Sequence, residues 1–158
     1  NGLWLSLVLG AACLAADRIH KFVQVDMMHW PEGAFRPVTP FFDIGLVFHP
    51  GISYGLIGSL PLWTISILVV VALCALIVWW WRANSALVRA GLACCIGGAL
   101  SNPLDRAIYG SVADFFHFHL GDWSFYIFNL ADAAITLGVI LLLLDLLGLG
   151  AKRAANAT

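Results

Sequence analysis

Apolar residues gather in four long runs along this chain, joined by connections of two different kinds. A helix crossing about 30 Å of hydrocarbon needs roughly 20 apolar residues. The runs predict spanning helices over about 3–23, 60–81, 87–108 and 124–148. The first is interrupted late by Asp17, Arg18 and Lys21, and the second carries no charge. The third opens on Arg89 and closes on Asn102, Asp105 and Arg106. The link "WRANSALVR" between the second and third is short. The segment over 24–59 is long, mixed and punctuated by Pro31, Pro37, Pro40 and Pro50. It is too polar and too broken to span, and predicts a small extramembrane subdomain with two or three short strands. The expected fold is an all-α polytopic membrane protein. Residues 1–158 form a single membrane domain, with the subdomain between helices one and two.

Composition fits this pattern. Of 158 residues, 61% are hydrophobic and 11% charged, against about 25% charged in a soluble domain, and the mean hydropathy is +0.91. A net charge of −1 offers no basic patch for nucleic acid. Cys13, Cys74, Cys94 and Cys95 lie in apolar runs without zinc-site spacing, and read as buried free thiols. "LVLGAACLAAD" faintly resembles a lipoprotein signal ending at Cys13, but Gly10 stands where a large aliphatic is expected. Helix one therefore reads as a retained span. Arg82, Arg89, Lys152 and Arg153 fall on one side, together with both termini. That side is expected to be cytoplasmic, with the long segment facing outward. Arg18, Lys21, Arg36 and Arg106 run against the rule, which suggests another task for them.

The charges inside the runs carry the chemistry. An Asp at the centre of a spanning helix costs about 2.5–3.5 kcal/mol on insertion scales and faces protein or a wet cavity. Asp17, Lys21, Asp105, Arg106, Asp114 and Asp132 all fall at the outward helix ends. With helix four starting near Ser124, Asp132 would sit roughly 12 Å in. Gly98, Asn102, Asp105 and Arg106 recur at helical spacing, as do Asn129, Asp132 and Thr136. Asp114, in the turn leaving helix three, could meet Asp132. Two carboxylates about 3 Å apart cannot both ionise comfortably, so one keeps a proton. Such a pair, titrating as a unit, offers a general base for water and a general acid for a leaving amine. The bland alternative is structural pairing: Asp105 with Arg106, and Asp17 with Lys21 four residues on. Pattern alone leaves catalysis, proton transfer and ligand binding open for Asp132.

"GGALSNPLDRAIYGSVADFF" followed by "FNLADAAI" resembles the two signature boxes of the lipoprotein signal peptidase (signal peptidase II) family. Gly98, Asn102, Asp105, Arg106, Gly110, Val112, Asp114 and Phe115 match the first box; Phe128, Asn129, Ala131 and Asp132 match the second. "DRIHK" looks like the family's D-x-x-x-K, and "VFHPGISYG" sits where the family has V-x-N-x-G-x-x-F-G. The resemblance implies an intramembrane aspartyl endopeptidase of the bacterial inner membrane. It would cut a prolipoprotein signal peptide just before its diacylglyceryl-modified cysteine, among membrane lipids, without metal or organic cofactor. It implies Asp114 and Asp132 as the dyad, and Asn102, Arg106, Asn129, His49 and Gly51 as substrate-binding. Asp17, Lys21 and Asp105 would be structural, and the outward segment would hold a β-cradle and a mobile helix that clamp the substrate.

Departures from the family pattern are His49 in place of a near-signature Asn, His20 in place of Thr or Ser, and Pro103 inside the helix-three box, where it should kink or break the helix. The first two touch the clamp rather than the dyad. His49 motivates an alternative: a non-catalytic relative acting as a binding or assembly subunit of a membrane complex. A metal or haem site on Asp114, His117 and His119 has only a common spacing behind it, so these histidines read as interfacial. Four spans without a repeat argue against a transporter. Trp79, Trp80, Trp81 and Trp123 fit interfacial belts, while Trp30 would either dip into lipid or pack in the subdomain.

Overall fold

The computed structural model describes residues 2–49 and 62–148. Among these, α1 (Gly2–Lys21) continues into a π-helical turn (Phe22–Met27). Strands β1 (Phe35–Thr39) and β2 (Phe42–His49) follow, then α2 (Leu62–Arg82) and α3 (Ala86–Tyr109). Strands β3 (Val112–Leu120) and β4 (Trp123–Ser124) come next, and α4 (Leu130–Leu146) ends the described chain. The regions around α1, α2 and α3 are long and apolar enough to cross a membrane; α4 has 17 residues. The expected mobile helix, Pro50 and Gly51 lie outside the described residues.

Two expectations change here. The β-subdomain is not confined to the connection between the first two helices. It is a four-stranded sheet in the order β1-β2-β3-β4, and half of its strands come from between α3 and α4. Asp114 therefore stands on a strand, not in a turn. Helix four also starts later than predicted. His119 pairs with Ser124 and Leu120 with Trp123, Phe128 bridges to Phe116, and only Asn129 opens the helix as its N-cap. Asp132 thus lies in the first turn rather than two turns in. An apolar run alone does not distinguish buried strand from helix, which is why the boundary was misplaced.

α3 is the central element and packs against α1, α2 and α4. It starts on Ser85, whose Oγ accepts from Val88 N, and stops at Gly110, whose φ of 77° is a left-handed conformation that glycine adopts without strain. Pro103 neither ends nor interrupts the helix, since packing against neighbouring helices holds such a turn together. Close approach depends on missing side chains. A Cβ on Gly97 would overlap Gly10 O of α1, and one on Gly98 would overlap Ala131 O of α4.

The sheet caps the bundle end where α1 and α3 finish and α4 begins. Its core is Leu46, Ala113 and Phe115, with Val25, Trp30, Phe48 and Phe116 packed around them. Trp30 thus packs in the subdomain, its Nε1 donating to Ala34 O at 2.9 Å, with Arg36 4.9 Å from its ring. Not every thiol is buried: Cys94 and Cys95 are, Cys13 is half-buried, and Cys74 is exposed on α2.

Candidate active site

The site rests on a buried charge cluster. Lys21 Nζ, at the end of α1, lies 2.8 Å from Asp17 Oδ2 and 2.6 Å from Asp105 Oδ2, all three side chains having no solvent exposure. Its remaining contact is Asn102 Oδ1 at 3.2 Å. An ammonium has three N–H donors, so every proton is placed. Arg18 completes the cluster by pairing with Asp105. The Asp17–Lys21 pair is as expected, and Asp105 pairs across to Arg18 and Lys21 of α1. Two carboxylates and two cations cancel, which is what makes their burial tolerable.

The spare oxygens of that cluster hold the backbone of the adjacent elements. Asp17 Oδ1 accepts from Ala131 N at 2.9 Å, in the first turn of α4, and Ser101 Oγ donates to Asp17 Oδ2 at 2.5 Å. Asp105 Oδ2 accepts from Ala113 N at 3.2 Å. Each of these amides is one residue before a candidate catalytic aspartate. The same lattice of charges therefore fixes the positions of both Asp114 and Asp132. In the sequence Arg18 stood out only as a charge against the orientation rule, and Ser101 did not stand out at all. The face they share with Lys21 and Asp105 was the only trace of their part in the cluster.

Asn129 joins the two carboxylates. Its Oδ1 accepts from Asp132 N at 3.0 Å, and Asp132 Oδ2 accepts from Asn129 N at 3.3 Å, a reciprocal capping box. Its Nδ2 donates to Asp114 Oδ1 at 2.7 Å. Asn102 Nδ2 donates to Asp132 Oδ1 at 3.2 Å. With its Oδ1 on Lys21, Asn102 relays the charge cluster to the site.

His49 is the larger surprise. Val47 pairs with Asp114 across β2 and β3, and Val112 with His49, so His49 and Asp114 are diagonal neighbours on one face. His49 Nδ1 lies 2.5 Å from Asp114 Oδ2. The departure read as a change in the clamp is bonded to one member of the expected dyad. Burial pushes the Asp114 carboxyl above the ordinary carboxylate range. The His49 hydrogen bond and charge, then Lys21 and Asn129, pull it back.

The residues of D-x-x-H-x-H separate. His117 and His119 lie three and five positions from Asp114, so strand alternation sends them to the opposite face. There both approach Asp43 Oδ2, at 3.6 and 3.2 Å. His20 packs on the rings of Phe115 and Phe116, at 4.7 and 5.2 Å between centroids. Beside Asp132 a cavity of about 240 Å³ opens between α2, α3 and α4; His49, Asn102, Arg106 and Asp132 give it its polar side, Val69 and Leu73 its apolar one.

Known proteins resemble this chain in sequence and in fold. Residues 9–148 match the family described as signal peptidase (SPase) II. The lipoprotein signal peptidase of Beijerinckia indica is 46% identical over 138 residues, 84% of this chain and 81% of that one. That of Methylocella silvestris is 42% identical over 144 residues, 89% of this chain and 84% of the relative. Among solved structures, a bacterial membrane enzyme determined by the in meso method at 2.3 Å resolution superposes with a TM-score of 0.81 at 25% identity. The match covers 99% of this chain and 93% of that one. With its helical bundle and β-subdomain, this chain belongs to the signal peptidase II family, the lipoprotein signal peptidases.

Proposed function

We propose that Asp114 and Asp132 are the catalytic dyad with which this chain cleaves its substrate. As a member of its family the chain is a lipoprotein signal peptidase, an intramembrane aspartyl endopeptidase acting on prolipoprotein signal peptides in a bacterial inner membrane. One observation carries the assignment of the residues. Two carboxylates from different elements are held by one residue, Asn129, whose side-chain Nδ2 donates to Asp114 and whose backbone N donates to Asp132, and Asp132 lines a cavity with a polar and an apolar wall.

The dyad holds one proton between two acids. Its charged member takes a proton from water as the water oxygen bonds to the scissile carbonyl carbon. Its protonated member gives its proton to the departing amine as the C–N bond breaks. The pair ends with one proton again, on the opposite carboxyl, and the products are a carboxylic acid and an amine. Arg106 and Asn102 face the cavity and offer N–H donors to the peptide and to charge developing on the carbonyl oxygen. The apolar wall from α2 suits a signal helix entering sideways from lipid, with the cut just before its diacylglyceryl-cysteine. Both termini would be cytoplasmic and the site near the outer face. His49 and Gly51 would contact the substrate as part of the clamp.

Purified protein in detergent, given a diacylglyceryl-modified prolipoprotein, should shorten it on a gel, and Asp132→Asn and Asp114→Asn should each lower the rate by about 10³-fold or more. Cleavage persisting in either variant would remove that aspartate from the chemistry. No cleavage by the folded native chain, beside an active relative, would favour a scaffold that has lost catalysis.

A further inference from the structure

Asp114 and Asp132 are both carboxylates at the same bundle end, yet their surroundings differ. Asp114 has donors at 2.5 and 2.7 Å, one on each oxygen. Asp132 has donors at 3.2 and 3.3 Å. Short bonds from a charged or strongly polar donor favour the ionised form of the acceptor. An Asn in place of His49 could give a neutral amide N–H, whereas an imidazole can also bring a positive charge. The His49 side chain is 26% exposed while that of Asp114 is 3% exposed, so His49 stands between the buried carboxylate and water.

We infer that His49 is a positioning residue that holds the negative charge of the dyad on Asp114. Asp114 is then the base that receives the proton of water, and Asp132 the acid that enters the cycle protonated. The inference rests on the dyad reading above. Other groups face this pair without taking the place of His49. Lys21 of α1 acts on both carboxylates from a distance and is already bound to Asp17 and Asp105. Asn102 and Arg106 of α3 and Asp132 of α4 line the cavity beside His49. Asn129 bonds the far oxygen of Asp114, and Glu32 reaches the strand at Phe48 N. Of these, His49 alone pairs a titratable donor with Asp114 Oδ2 among the described residues.

The test is the pH dependence of cleavage in the full chain, for the native protein, His49→Asn and His49→Gln. Losing the imidazole removes the bond and charge that pull the Asp114 carboxyl down. The acid limb of the rate profile should therefore move to higher pH in both variants. At pH 5 each should lose about tenfold more activity, relative to native, than at pH 8. Asp114→Asn, run alongside, should be inactive throughout. Profiles parallel to native in both folded variants, whether lowered or not, would overturn the role of His49 while leaving the dyad intact. Complete loss at every pH in both folded variants would also overturn it, since a positioning residue leaves residual turnover. Activity in Asp114→Asn would instead defeat the dyad reading.

Discussion

At the scale of single residues the buried carboxylates divide into two kinds, and substitutions should separate them by sign. Asp17 and Asp105 are neutralised by Lys21 and Arg18 and occupied by backbone amides. Lys21→Met would leave two buried carboxylates with one partly exposed guanidinium. Breaking a buried network from one side costs about 3–5 kcal/mol, so unfolding in detergent should shift down clearly, and cleavage should fall as Asn102 loses its anchor. Asp114 behaves oppositely. Burial raises its carboxyl in the folded state. Its contribution to stability is then full below the unfolded carboxylate value of about 3.9 and is lost as pH rises through the folded value. Asp114→Asn should therefore unfold at a higher temperature than native at pH 7, with the difference shrinking toward pH 4, while cleavage disappears. A lower midpoint at pH 7 would mean that the carboxylate serves the fold rather than the reaction.

At the scale of elements, the site depends on where α4 begins and how near α3 it lies. Asn129 caps the helix with its side-chain oxygen and bonds the Asp114 carboxylate with its side-chain nitrogen. Losing a cap of this type costs about 0.5–2 kcal/mol, so Asn129→Ala should show a modest fall in stability and a far larger fall in cleavage. Gly98→Leu would press its side chain on Ala131 O, one residue from Asp132. Cleavage should fall more steeply than folding there, as the first turn of α4 is forced off α3. These positions also mark what could be read from the sequence. The Gly98, Asn102, Asp105 and Arg106 spacing gave the correct helix, and Asp17 with Lys21 the correct pair. Asp114 was singled out, but not its strand. β3 pairs with β2, more than sixty residues earlier in the chain, and no local pattern reports such a partner. The start of α4 was hidden because "FYIF", just before its cap, is as apolar as the helix itself. The contact of His49 with Asp114 was out of reach for the same reason as β3, since it exists only once the two strands are in register.

Across the whole molecule, apolar and charged surfaces are separated along the bundle axis. α2 turns Trp63, Ile67, Val70, Val71, Val78 and Trp81 outward, as lipid contact requires. The buried charges collect where α1 and α3 end, and the sheet covers that end. α4, at 17 residues, spans about 26 Å, close to the lower limit for a crossing helix. With Asp132 in its first turn, chemistry would take place at the membrane surface rather than at depth. Arg82 and Arg89 flank the α2–α3 link at the other end, and the proposal that this end is cytoplasmic rests on the positive-inside rule. The proposed orientation has a direct check in a chain whose native cysteines are replaced by alanine. Val38→Cys sits on an exposed position of β1, and Asn84→Cys on an exposed position of the α2–α3 link. A membrane-impermeant maleimide applied to intact spheroplasts should label the cysteine at 38 and spare that at 84, with both reacting after lysis. Labelling at 84 alone would invert the protein and put the dyad at the cytoplasmic face. A signal peptide would then have to be cut before its lipidated cysteine had reached the far side, and the outward-facing site would have to be abandoned.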